Sequence, residues 1–204
     1  MADFQEIEFL VLRKIPYGEH AMIVKGLSSE LGQCGFVAHG AVGANRRAFP
    51  ELEQFRLLRV GYEETGRELY RLKSTEILED FSGLSRWYDR FQCASWIAQF
   101  SLLNVMCGLP HPFTMNAVTV ALRRLSEETP FPLDAVLTGV CLAFLFEEGW
   151  LAPMLEERPD VAQQLRQILE MASGKEPPAI TEESWKEQFS WCKDILLLNE
   201  CRLP

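Results

Sequence analysis

Through the first third of the chain, apolar and polar residues alternate. Glu8-Phe9-Leu10-Val11-Leu12-Arg13, Ala21-Met22-Ile23-Val24-Lys25-Gly26-Leu27, Gln33-Cys34-Gly35-Phe36-Val37-Ala38-His39-Gly40, Phe55 to Tyr62 and Glu68 to Ile77 read as strands of period two. Pro16-Tyr17-Gly18-Glu19 and Ser28-Ser29-Glu30-Leu31-Gly32 have the residues of turns, and a loop rich in Gly, Ala and Asn runs from Ala41 to Asn45. Five short strands in quick succession suit a small closed barrel, which leaves no unpaired sheet edge.

Past Phe81 the spacing becomes helical. Trp87, Phe91, Ala94, Ile97 and Phe100 recur at steps of three and four behind Ser85, a plausible cap, and predict the first helix. Pro110, Pro112, Pro130 and Pro132 punctuate the next segments, leaving helices near Met115 to Leu125 and from Leu133 to Glu147, with another from Asp160 to Met171. Ser173 to Pro178 reads as a surface linker, and Thr181 before Glu182 and Glu183 starts a last helix through Trp185, Phe189, Ile195 and Leu198. The fold class is α+β: residues 1–79 form a five-stranded β barrel and residues 80–204 an all-α helical bundle. Most of the bundle's aromatic residues, Trp87, Trp96, Phe100, Phe144, Phe146, Trp150, Trp185, Phe189 and Trp191, are expected in its core, with a minority lining a groove for a partner peptide.

Charge divides the chain in the same way. The net charge is −9, which argues against a life on phosphate backbones. Met1 to Thr75 nevertheless balances ten Lys/Arg against ten Asp/Glu, so the whole acidic excess lies beyond it. The two parts are expected to face different partners.

Several function classes recede. Six scattered cysteines without a CxxC pair, and three dispersed histidines, read as reduced thiols and no metal site. The opening MADFQEIEF lacks the apolar run of a secretory signal, and Ala135 to Phe146 is too short to span a membrane, so the expected location is cytoplasmic. No GxSxG, HExxH or GxxxxGK[ST] motif occurs; neither an enzyme nor a cofactor is expected.

The order of small motifs through the barrel carries a resemblance. Tyr17-Gly18-Glu19, Ile23-Val24, Gly32, Val37-Ala38-His39-Gly40-Ala41, Arg46-Arg47 and Leu52-Glu53-Gln54-Phe55 succeed one another with the spacing of the RecO family of bacterial DNA repair proteins, which the sequence resembles over about eighty residues. The resemblance implies an oligonucleotide-binding (OB) fold followed by a family-specific helical domain. It implies binding of single- and double-stranded DNA, strand annealing, and help in loading recombinase onto DNA covered by single-strand binding protein. The partners it implies are a RecR-like protein and the acidic, aromatic-ended tail of single-strand binding protein, at the bacterial nucleoid. Many relatives carry four zinc-binding cysteines where this chain has Met154 to Ala172, a stretch without cysteine, so zinc is not carried over.

On an OB barrel, strands of nucleic acid are held by cations and by aromatic faces. Arg46 and Arg47 in the Gly-rich loop, with Lys25, Arg56, Arg59, Arg71, Lys73 and Tyr62 on the strands, are the expected DNA contacts; the competing reading makes the strand residues a solvated polar face. Tyr17, Gly18 and Glu19 read as structural. His39 stands where the family usually has lysine, which predicts weaker and more salt-sensitive binding. In the bundle, Arg86, Arg90, Arg123 and Arg124 are the clustered cations open to an acidic partner tail. A second reading fits the neutral barrel and acidic bundle: a protein-interaction adaptor on a RecO-like scaffold, with little direct DNA affinity.

Overall fold

The computed structural model describes residues 4–41, 49–66, 68–129, 131–151 and 159–204. Five strands, β1 (Phe4–Tyr17), β2 (Ala21–Ser28), β3 (Gly32–His39), β4 (Arg56–Glu63) and β5 (Tyr70–Asp80), close into a barrel in the order β1-β2-β3-β5-β4. All pairings are antiparallel except β3 with β5, which join in parallel through Phe36–Tyr70 and Val37–Arg71. This is the OB fold.

β1 is longer than its alternation predicts because it serves two neighbours. Phe4 to Leu10 pair with β4, Leu10 to Tyr17 pair with β2, and a register shift between Val11 and Arg13 marks the bend. Pro16 lies in the strand, opposite Met22, not in the turn expected from Pro16 to Glu19; the turn is Gly18 to His20, with Gly18 at a φ of 63°. Inside the barrel Phe9, Val11, Val24, Phe36, Leu58, Val60 and Tyr62 make a continuous core.

Two compact units divide the described chain: residues within 1–83 together with 105–112, and residues within 84–104 and 113–204. The return of 105–112 to the barrel has a backbone cause. Gln33 N donates to Met106 O over 3.1 Å, and Gly108 N donates to Leu31 O over 2.9 Å. Gly32 permits that approach, since a β-carbon on it would run into the carbonyl oxygens of Met106 and Leu109.

The helical unit contains α1 (Tyr88–Asn104), α2 (Pro112–Ser126), α3 (Leu133–Glu147), α4 (Pro159–Ala172) and α5 (Glu182–Leu198), behind a short 3-10 turn at Ser82–Arg86. α3 is buried from Ala135 to Leu145 on nearly every side and packs against α1, α4 and α5, as its almost unbroken apolar sequence requires. Rings of Phe189, Trp96, Phe100, Phe144 and Trp150 run in contact through this core, at centroid separations of 5.3 to 5.8 Å. Thr181 caps α5, accepting from Ser184 N at 3.2 Å. α2 borrows its cap: the Glu147 carboxylate accepts from the amides of Phe113 and Thr114, both at 2.9 Å. No helix among the described residues is long and apolar enough to cross a membrane.

Candidate nucleic-acid interface

The register of the β1–β2 hairpin assembles one outer face of the barrel. Arg13 stands opposite Lys25, Ile15 opposite Ile23, and Tyr17 opposite Ala21. β3 continues the rows, with Lys25 opposite Gly35, Ile23 opposite Val37 and Ala21 opposite His39, and β5 adds Arg71 beside Val37. Cross-strand partners share a face, and the intervening Val24, Phe36 and Ala38 fill the core, so these residues point outward. The rows place a strip of Ile15, Ile23 and Val37 between Arg13 and Lys25 on one side and Tyr17 and His39 on the other.

The strand positions of this face carry cations, where the chain as a whole is acidic. None of its strand positions holds Asp or Glu, and among the described residues Arg13, Lys25 and Arg71 form no ion pair. Like charges directly opposite each other, as Arg13 and Lys25 are, cost up to about 1 kcal/mol. An anion between them relieves that repulsion.

Two clefts open on the same face. The larger, about 750 Å³, is lined by Tyr17, Val37, His39, Thr65, Glu68, Leu69, Tyr70 and Arg71. The second, about 410 Å³, is lined by Lys25, Gln33, Cys34, Gly35, Glu68, Leu69, Tyr70, Cys107 and Gly108. Tyr17, 56% exposed at the end of the hairpin, offers a ring to the first. Strands β2 and β3 with the β1–β2 and β4–β5 loops are the surfaces that OB folds use for oligonucleotides.

Of the expected DNA contacts, Lys25 and Arg71 lie on this face and line its clefts. Arg56, Arg59 and Lys73 belong to the β4–β5 pair, and each has a carboxylate: Asp80 at 2.9 Å, Glu76 at 2.5 Å and Glu63 at 2.7 Å. Burial alone would raise the Asp80 pKa, but hydrogen bonds from Arg56 and Ser82 hold it below the ordinary value. Tyr62 cannot serve as a stacking platform. It is 1% exposed, its ring packs between Phe36 and Tyr70, and its hydroxyl donates to Gln5 Oε1 at 2.6 Å. Leu58, Val60 and Tyr62 alternate into the core along β4, so the inward position follows from the strand's own period. Burial, followed by the nearby Tyr70 and Glu64, pushes the phenol up to about 12. Arg46 and Arg47 lie outside the described residues.

The expected partner-binding arginines of the helical unit are largely engaged at home. Arg90 is buried, stacks 4.1 Å from the Trp87 ring centroid, and gives its guanidinium to the carbonyls of Leu125, Glu127 and Glu128, so it closes the C-terminal end of α2 and is not open to a partner. Arg124 lies over the Phe131 ring and donates to Lys175 O at 2.5 Å. Its desolvation lowers its pKa against the pull of nearby carboxylates. Arg86 sits 3.9 Å from Glu128, and Arg123 is exposed in the last turn of α2. Among the described residues no three His, Cys, Asp or Glu side chains are placed to hold a metal ion.

Alternation along single strands passes over Arg13, Ile15, Ile23 and Val37 as site residues and makes Tyr17 structural. The signal that finds them is hairpin register: counted outward from a turn at Gly18 to His20, Tyr17, Ile15 and Arg13 fall opposite Ala21, Ile23 and Lys25.

Comparison with known proteins matches this part of the chain most directly. Residues 1–81 fit the family model described as Recombination protein O N terminal. The DNA repair protein RecO of Anaeromyxobacter dehalogenans is 31% identical over 148 residues, covering 72% of this chain and 57% of that protein. The proteins of the same name from Geobacter metallireducens and Gloeobacter violaceus are each 30% identical, over 128 and 126 residues; each match covers 62% of this chain, and 52% and 48% of those proteins. The chain thus spans about half the length of the curated relatives it matches. With its first 81 residues matching the RecO N-terminal model, an OB barrel in that position, and RecO proteins similar over most of its length, the chain belongs to the RecO family.

Proposed function

We propose that the chain is a DNA-binding protein of repair and recombination that holds single-stranded DNA across the outer face of β1, β2 and β3. The observation that carries the reading is the juxtaposition of Arg13, Lys25 and Arg71, all without ion pairs among the described residues, around an apolar strip of Ile15, Ile23 and Val37. Cations take the phosphates, while Tyr17, Ile23 and Val37 offer surface to unstacked bases. An extended duplex hides its base faces in the stack, so the apolar strip favours single strands; duplex DNA is left with the cations alone. The work is binding, with strand annealing and assistance to recombinase loading on DNA covered by single-strand binding protein as the mediator role the family resemblance implies. The same resemblance supplies a RecR-like protein and the tail of single-strand binding protein as partners, in the cytoplasm at the nucleoid.

Fluorescence anisotropy of a labelled oligothymidylate tests the reading. Saturable binding at low ionic strength, stronger than for a duplex of equal length, is expected; no binding to either contradicts it. One observation favours the adaptor instead. Arg56, Arg59 and Lys73 are all neutralised by carboxylates, so the barrel's other face has little to offer phosphate. Stable association with a partner protein, in the absence of any oligonucleotide binding, would select the adaptor.

A further inference from the structure

The connection between β4 and β5 reaches the outer surface of β3 at Gly35. A β-carbon built on Gly35 would stand 2.8 Å from Leu69 Cδ2, closer than van der Waals contact allows, so the leucine occupies the space that the glycine leaves. Thr65 braces the connection, its hydroxyl donating to Leu69 O at 2.7 Å. On one side of Leu69 lies the cleft of Tyr17, His39 and Arg71; on the other lies the cleft of Lys25 and Gln33. Glu68, Leu69 and Tyr70 line both. The two clefts are halves of a single groove along β3, divided at Gly35.

We propose that Leu69, seated on Gly35, sets the length of strand this barrel holds, and that the exposed carboxylate of Glu68 lowers its affinity for any polyanion crossing there. The proposal rests on the reading of the β1–β2–β3 face as the single-strand site. From Gln33 to His39 the groove is roughly 20 Å long at the rise of a β-strand, room for a few nucleotides. A strand engaged with Arg71 and His39 must leave the surface at Leu69 before it reaches Lys25. That detour forfeits a base contact and brings phosphate past a like charge. Short strands fit within one half and do not meet the divider.

The test compares labelled oligothymidylates of about five and about ten nucleotides on the wild-type protein and on Leu69→Ala, Glu68→Gln and Gly35→Ala. Leu69→Ala is expected to bind the longer strand about tenfold more tightly and the shorter one within about twofold of wild type, the scale of one recovered base contact. Gly35→Ala lifts the leucine off its seat and further into the groove, and is expected to weaken the long strand several-fold while leaving the short one within about twofold of wild type. Glu68→Gln, which removes charge without changing shape, tightens both strands to a similar extent. If wild type binds but neither Leu69→Ala nor Gly35→Ala changes the ratio of long-strand to short-strand affinity, the divider falls while the DNA site stands. If none of the four proteins binds either oligonucleotide, both fall.

Discussion

Arg13 and Lys25 face each other directly across the β1–β2 hairpin, and among the described residues neither is paired with a carboxylate. A sheet built for stability alone would place opposite charges there. Arg13→Ala should therefore leave thermal stability unchanged or raise it by a few tenths of a kcal/mol. The same variant should lose several-fold in oligonucleotide affinity and reduce the salt slope by about one. Thermal unfolding and anisotropy on one sample check the two effects together, and a variant that is destabilised without losing affinity would make the pair structural.

Arg59 and Lys73 supply the contrast. Both are surface cations held by Glu76 and Glu63, and such exposed pairs contribute about 0–1 kcal/mol. Replacing either with alanine should change stability by no more than that and leave DNA affinity within about twofold. A loss as large as that of Arg13→Ala, read by the same anisotropy titration, would move the site to the β4–β5 face.

Tyr62 contributes to the barrel's alkaline stability, alongside Cys34 and Tyr70, which burial also pushes up. Its phenol sits near 10.0 in an unfolded chain and is pushed up to about 12 in the fold, so the folded state keeps a proton that the unfolded state releases. The resulting stability is intact below pH 10 and is lost as pH rises through 12. Tyr62→Phe should cost about 1 kcal/mol at neutral pH through the lost hydrogen bond to Gln5 and should flatten the decline above pH 10. Denaturant midpoints at several alkaline pH values measure this, and oligonucleotide affinity at neutral pH should not change.

Arg90 should prove structural. Its removal leaves the carbonyls at the end of α2 without their donor in a buried setting, at a cost of about 1–3 kcal/mol. Arg90→Ala is expected to lower the melting temperature of the helical unit, whereas Arg86→Ala, at an exposed pair 3.9 Å apart, leaves it in place.

Periodicity makes most of the fold legible in the amino-acid sequence. Among the described residues the five strands and five helices fall close to where alternation and helical spacing put them, because most bury one face or stripe, and Thr181 caps the last helix as its residue type predicts. The site is less legible because it depends on register. A turn centred on Pro16 to Glu19 sets Arg13 opposite a core position, whereas the actual turn at Gly18 to His20 sets it opposite Lys25. Tyr62 needs no register to be placed, since the alternation of Leu58, Val60 and Tyr62 along β4 already turns its ring inward onto Phe36. The attachment of 105–112 to the barrel is carried by backbone hydrogen bonds and by the missing side chain of Gly32, which leave no periodic trace.

The most direct measurement is the salt dependence of oligonucleotide affinity for wild type, for the double variant Arg13→Ala/Lys25→Ala, and for Arg56→Ala/Arg59→Ala. The β1–β2–β3 face predicts a steep wild-type slope that falls by about two when Arg13 and Lys25 are removed and stays unchanged when Arg56 and Arg59 are removed. Equal slopes for all three proteins, or no binding at the lowest salt, would contradict it.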